Sequence, residues 1–142
     1  DVTMGEVLAV LPFQNTLSTF QISGQGVIDA LENGVSQVEE VKGRFPQVAG
    51  LKFTFDLAVA PNEGRIQEVM VADGDNFVAI DPAKMYNLVS NNYVRGGGDG
   101  YKMFRLAANA YDFGPDVADV LAEYMAAQGP VAPYTDGRIT QK

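Results

Sequence analysis

Between residues 51 and 90 the chain reads as short apolar–polar alternations separated by turn signals, a pattern that a β-sheet satisfies and a helix does not. Residues 51–57 (Leu-Lys-Phe-Thr-Phe-Asp-Leu) alternate without a break, the mark of a half-buried strand. Residues 65–71, 77–80 and 86–90 are shorter strand segments, divided by turns at Pro61-Asn62-Glu63-Gly64 and Ala72-Asp73-Gly74-Asp75. A further strand is predicted at 16–22, which is rich in β-formers. Helical patterns flank this block. Thr3 and Glu6 form a capping box for a helix that turns Val7, Leu8 and Leu11 inward and stops at Pro12. Ser23 caps a second helix over 24–35, with Val27, Ile28, Leu31 and Val35 on one face and Gly34 near its end. Residues 102–108 read as helical. The last helix opens with Pro115 at its first position, carries Val117, Val120, Leu121 and Tyr124 inward, and closes at Gly129-Pro130. Residues 131–142 read as a tail or a short edge strand. This order predicts an α+β fold: a single domain over 1–142, with a mixed β-sheet and helices packed at its faces.

Composition narrows the chemistry. The 142 residues include no His and no Cys. That excludes a Ser-His-Asp triad, a cysteine nucleophile, disulfides and the usual structural zinc site. The net charge of -8 excludes a broad basic surface for nucleic-acid backbones. No run of 18 apolar residues is present to form a membrane helix. The abrupt start at Asp1, with no signal-peptide pattern, suggests a piece of something longer. Asp73-Gly74-Asp75 opens like a calcium loop but lacks the terminal bidentate Glu. Gly24-Gln25-Gly26 follows a strand and opens a helix, but Asp29 stands where a dinucleotide fingerprint needs its third glycine.

The strongest local feature is the loop Gly96-Gly97-Gly98-Asp99-Gly100, with Tyr93 before it and Tyr101 after it. Glycines allow positive φ and close approach of backbone to a ligand. An aspartate accepts hydrogen bonds from a vicinal diol, and an aromatic ring offers a stacking face. Ribose plus base is one reading of such a loop; a plain tight turn with Asp99 capping the next helix is the other. Phe13 and Asn15, just past the first helix, are core and turn residues on local grounds alone. No pair of carboxylates has a spacing that signals hydrolytic catalysis within the chain.

Taken together, Val7 to Asn15 with its Leu11-Pro12-Phe13, Ile22-Ser23-Gly24, Gly43 to Phe53, Tyr86 to Tyr101 with its Gly97-Gly98-Asp99-Gly100-Tyr101, and Gly137-Arg138-Ile139 resemble the C-terminal domain of the 5'-nucleotidase family of metallophosphoesterases. The resemblance covers nearly the whole chain. It implies a substrate-recognition domain linked to an N-terminal metallophosphoesterase domain, where two divalent metal ions hydrolyse the phosphate ester. It implies that Phe13 and Tyr93 sandwich the base, that Asp99 binds the ribose hydroxyls, and that Asn15 and Gly50 lie near the base edge. It implies a nucleoside or nucleotide as ligand, no cofactor and no catalytic residue in this chain, and a periplasmic or extracellular location. The family's arginines for the acidic end of the substrate fall upstream of Asp1, so the chain on its own is expected to bind weakly and to hydrolyse nothing. Arg95 is expected to be a solvated side chain rather than a phosphate contact. The competing reading is a non-enzymatic interaction module that keeps the fold without the ligand.

Overall fold

In the computed structural model, which describes residues 1–142, the strand block splits into two sheets. The first element is α1, Met4–Val10, and its capping box forms as expected: Thr3 Oγ1 accepts from the Glu6 amide, and Glu6 accepts from the Thr3 amide at 2.7 Å. Next come β1, Leu17–Ser23, and α2, Gly24–Gly34, capped by Ser23 Oγ accepting from the Gly26 amide. Four strands follow: β2 (Leu51–Phe55), β3 (Ile66–Asp73), β4 (Asn76–Ala79) and β5 (Met85–Asn91). Then come α3 (Asn92–Arg95), β6 (Ala108–Tyr111), α4 (Val117–Gln128) and β7 (Ile139–Gln141).

One sheet has the order β5-β1-β6 and is antiparallel throughout. The other has the order β4-β3-β2-β7 and is mixed, because β7 runs parallel to β2 at its edge. Helix α2 touches both sheets. A single core forms where it does so: Phe20 and Ile22 from β1, Val27, Ala30 and Leu31 from α2, Phe53 and Phe55 from β2, and Val69 from β3. Val35, Tyr101 and Phe104 complete it. The fold is α+β, as the alternation and the flanking helical patterns predict.

Arg65 lies beneath this core with 2% of its surface exposed. Its Nε donates to the Val59 carbonyl at 2.7 Å and its Nη1 to the Val35 carbonyl at 2.8 Å. The guanidinium forks onto Glu39 at 2.5 and 3.0 Å. That contact holds the Glu39 carboxyl below the usual range and raises the arginine further. Beside it, Glu32 accepts from the Ile66 amide at 2.7 Å, tying α2 to β3.

The structure departs from the local sequence patterns at several points. Residues 102–108 are not one helix: Lys102–Leu106 is a 3-10 turn, and Ala108–Tyr111 is strand β6. Pairing with β1 decides that, since Gln21 opposes Ala108 and Thr19 opposes Tyr111. Pro115 stands before the last helix rather than inside it. Asp116 is the cap, its carboxylate accepting from the Ala118 amide at 2.8 Å, and the Pro115 carbonyl is held by the Leu17 amide. Leu8 and Tyr124 face outward, 46% and 57% exposed. Helices α1 and α4 pack on each other at the edge, so each buries only a narrow stripe, centred on Val7 and Ala118. Gly34 ends α2 and also permits close packing, because a Cβ there would lie 2.7 Å from the Pro46 ring.

Candidate functional site

The antiparallel pairing of β1 with β5 sets Leu17 opposite Asn91. The segment entering β1 and the segment leaving β5 therefore lie side by side at one end of the sheet. Two hydrogen bonds clamp them: the Asn92 amide donates to the Thr16 carbonyl at 2.9 Å, and the Thr16 amide to Asn92 Oδ1 at 3.2 Å. Phe13 and Asn15 precede the first segment, and Tyr93 sits in the second. Phe13 is 81% exposed and Tyr93 is 53% exposed, so neither ring is a core residue. Asn15 is half-buried, and its carbonyl accepts from the Val117 amide at 2.9 Å at the start of α4.

Helix α3 aims Tyr93 at the glycine loop. Asn91 caps it, accepting from the Val94 amide at 2.8 Å. Gly97 then takes φ 94° and Gly100 φ 84°, conformations that favour glycine. Gly98 meets a second demand: a Cβ there would lie 2.4 Å from the Tyr93 ring. Asp99, between them, has φ 51° and ψ 29°, left-handed backbone that aspartate tolerates better than most residues. Its carboxylate is exposed and accepts from the Tyr93 hydroxyl at 3.3 Å. That distance is long for an O–H···O bond, so a ligand hydroxyl can replace it at little expense. Asp99 does not cap the helical turn that follows.

Tyr101 anchors the loop from below. It is 7% exposed, stacks on Phe104 with ring centroids 5.4 Å apart, and donates to the Arg44 carbonyl at 2.6 Å. Burial, and next the negative charge of Asp99, push its phenol up to about 12, so it remains a neutral donor at physiological pH. Asn33, at the end of α2, donates to the Asp99 carbonyl at 3.1 Å. Neither Asn33 nor Arg44 stands out in the sequence; the only signal is their position near Gly34 and in the Gly43–Phe53 segment. Gly50 precedes β2 at φ 76°, exposed, its carbonyl accepting from the Ala72 amide at 2.9 Å. The loop's ties to that segment run through Arg44 instead.

Arg95 is neither solvated nor free for a phosphate. Its Nε donates to Asp112 Oδ1 at 2.7 Å and its Nη2 to Asp112 Oδ2. Asp112 Oδ1 also accepts from Ser18 Oγ at 2.8 Å, and the Asp112 carbonyl accepts from Thr16 Oγ1 at 2.6 Å. The network ties α3, β1 and the end of β6 together behind the Tyr93 ring. Hydrogen bonding from Arg95 first, and also from Ser18, holds the Asp112 carboxyl below its usual range against the effect of burial. Its stabilisation is therefore complete above about pH 4, where an unfolded aspartate titrates, and is lost as pH falls through the lower folded value. An Asp112→Asn chain is expected to lose stability at neutral pH and to show a flatter decline in acid, read from urea midpoints at stepped pH. Parallel acid declines in the two chains would contradict this.

No group of three or more acidic side chains converges to hold a metal ion. With no His or Cys either, these residues do not fit a dimetal centre, which the family resemblance assigns to a separate N-terminal domain. No helix is long and apolar enough to cross a membrane.

Comparison with known proteins gives the arrangement its context. A family model described as 5'-nucleotidase, C-terminal domain, matches residues 1–106. The chain is 41% identical over 144 residues to a trifunctional nucleotide phosphoesterase protein of Bacillus subtilis, covering 99% of this chain and 10% of that protein. It is 28% identical over 141 residues to a human 5'-nucleotidase, covering 97% of this chain and 25% of that protein. Among solved structures, a 5'-nucleotidase precursor from Thermus thermophilus superposes with a TM-score of 0.94 at 37% identity, covering 99% of this chain and 28% of that one. The Haemophilus influenzae NAD nucleotidase superposes with a TM-score of 0.85 at 29% identity, covering 99% and 26%. The chain thus spans between a tenth and little more than a quarter of these relatives.

Proposed function

Since the chain belongs to the 5'-nucleotidase C-terminal domain family, we propose that it is the substrate-recognition domain of a nucleotide-hydrolysing protein and grips the nucleoside end of the substrate. The observation that supports this reading is the contact of the exposed Tyr93 with Asp99 across the glycine loop, at the end of the sheet where the β1–β5 register also brings the segment that follows the exposed Phe13. The two exposed rings supply the faces of a sandwich, and the base enters between them. Stacking contributes about 1–3 kcal/mol per base by analogy with single-strand binders, and it accepts any base because every base has a π-face. Asp99 supplies the sugar contact, its two carboxylate oxygens accepting from vicinal hydroxyls in charge-assisted hydrogen bonds. Asn15, two residues after Phe13, is assigned to the base edge, and Gly50 contributes at most through its backbone.

In this reading the chemistry belongs to a linked metallophosphoesterase domain holding two divalent ions, and this domain presents the phosphate ester to it. The small share of each relative that the chain covers supports a larger parent protein. Relatives that include snake venom 5'-nucleotidases support a place outside the cytoplasm.

Titration of the 142-residue chain with adenosine and with uridine, followed by backbone amide resonances, tests the site. Shifts are expected at Phe13, Tyr93 and 96–100. Phe13→Ala is expected to raise both dissociation constants alike, by roughly 5- to 150-fold. A loss confined to adenosine would contradict simple stacking. No shift with either nucleoside at millimolar concentration would favour the interaction module that keeps the fold without the ligand.

A further inference from the structure

Asp99 is a non-glycine residue in a left-handed turn, and something must hold it there. The chain neighbours do not: Gly98 and Gly100 are the two most permissive residues the backbone could have on either side. The restraint comes from a residue 66 positions earlier. Asn33 Nδ2 donates to the Asp99 carbonyl at 3.1 Å. The Asn33 amide is itself oriented, because Arg44 Nη1 donates to its Oδ1 at 3.3 Å. A guanidinium can only donate, so the amide oxygen must face Arg44 and the NH2 must face the loop. Arg44 is fixed in turn: its carbonyl accepts from Tyr101, and its Nη1 also reaches Ser36 Oγ at 3.4 Å. Gly100 completes the fit. A Cβ there would lie 2.4 Å from Asn33 Oδ1 and 3.2 Å from Arg44 Nη1, so a side chain at 100 and this clamp exclude each other.

We infer that Asn33, oriented by Arg44, is a positioning residue that fixes the Asp99 backbone and thereby the point at which its carboxylate meets a ribose. The inference rests on the proposed nucleoside site and adds to it a determinant of sugar selectivity that touches no ligand. The clamp connects the end of α2 to the glycine loop, so the direction of the carboxylate is set by the core helix rather than by the loop's own glycines.

Asn33→Asp tests the clamp with minimal change of shape. It keeps the acceptor facing Arg44 and replaces the donor facing Asp99 by an oxygen that repels the carbonyl. Adenosine and 2',3'-dideoxyadenosine are titrated against the unaltered chain, Asn33→Asp, Arg44→Gln and Asp99→Ala, with resonances recorded before ligand is added. In Asn33→Asp, the free-state signals of Asp99 and Gly100 are expected to move, and adenosine affinity to fall roughly tenfold. Dideoxyadenosine affinity is expected to change less than about twofold, because its sugar lacks the hydroxyls that Asp99 holds. Arg44→Gln is expected to move both in the same direction by less, which keeps the test alive if the aspartate variant fails to fold. Unmoved Asp99 and Gly100 signals, or an undiminished preference for adenosine, would overturn the positioning role. An Asp99→Ala chain that still prefers adenosine overturns the ribose contact itself, and the role of Asn33 in sugar selectivity with it.

Discussion

Replacing Arg65 by Met is expected to lower the stability of the chain by about 2–4 kcal/mol, because a guanidinium that is almost fully buried leaves its carbonyl acceptors without a donor. Methionine keeps much of the volume, so the loss is polar rather than a cavity effect. Two carbonyls, of Val35 and Val59, lose their donors. Each buried acceptor left unpaired costs about 1–3 kcal/mol. The Glu32 carboxylate has one oxygen that is already buried and unpartnered, and it loses a nearby positive charge. Glu39 suffers less, being half-exposed and able to take up water. Glu39→Gln should accordingly cost far less than the loss of Arg65, as the removal of exposed pairs does. Urea denaturation of both variants measures the contrast. Equal losses would show that the ion pair, not the carbonyl contacts, is what Arg65 contributes.

The second large effect is on ligand. Asp99→Ala is expected to weaken adenosine binding by about 1.5–3 kcal/mol, the worth of hydrogen bonds to a charged group, or roughly 10- to 150-fold in dissociation constant. Stability should change little, because the carboxylate is exposed and its one internal contact, with Tyr93, is long. Alanine in the left-handed conformation pays a modest strain, which Asn33 still opposes through the retained backbone carbonyl. Isothermal titration beside a thermal melt separates the two quantities. Unchanged affinity would remove Asp99 from the sugar site; a fall in melting temperature matching the loss of affinity would assign it to the fold.

What the sequence discloses follows from how local each determinant is. Strand β2 and helix α2 are legible because their burial follows their own periodicity: Phe53 and Phe55 alternate inward, and Val27 and Leu31 recur on one face. Strand β6 is not legible. Ala-Asn-Ala-Tyr is too short to establish a period and all four residues are exposed, so its pairing with β1 is what makes it a strand. Pro115 illustrates competition between two signals, since a proline and an aspartate both mark helix starts and the aspartate took the cap. At the site, the glycine loop and its tyrosine announce themselves by composition. Asn33 does not, because its part is played through one long-range bond to a backbone atom. Arg95 looked like a free cation for the same reason: Asp112, its partner, is 17 residues away and across a strand.

Strand β1 occupies the middle of its sheet, yet both of its partners come much later in the chain, at residues 85–91 and 108–111. During synthesis from the N-terminus, Phe20 and Ile22 therefore emerge long before the strands that will flank theirs. The nascent chain must carry an unpaired, partly apolar segment until most of the domain has left the ribosome. Pairings this distant in sequence also slow the search for the native state, because a large loop must close before either edge of β1 is satisfied. A ribosome stalled with residues from 85 onward still inside the exit tunnel should display a β1 that proteases can reach, whereas one stalled after residue 111 has emerged should protect it.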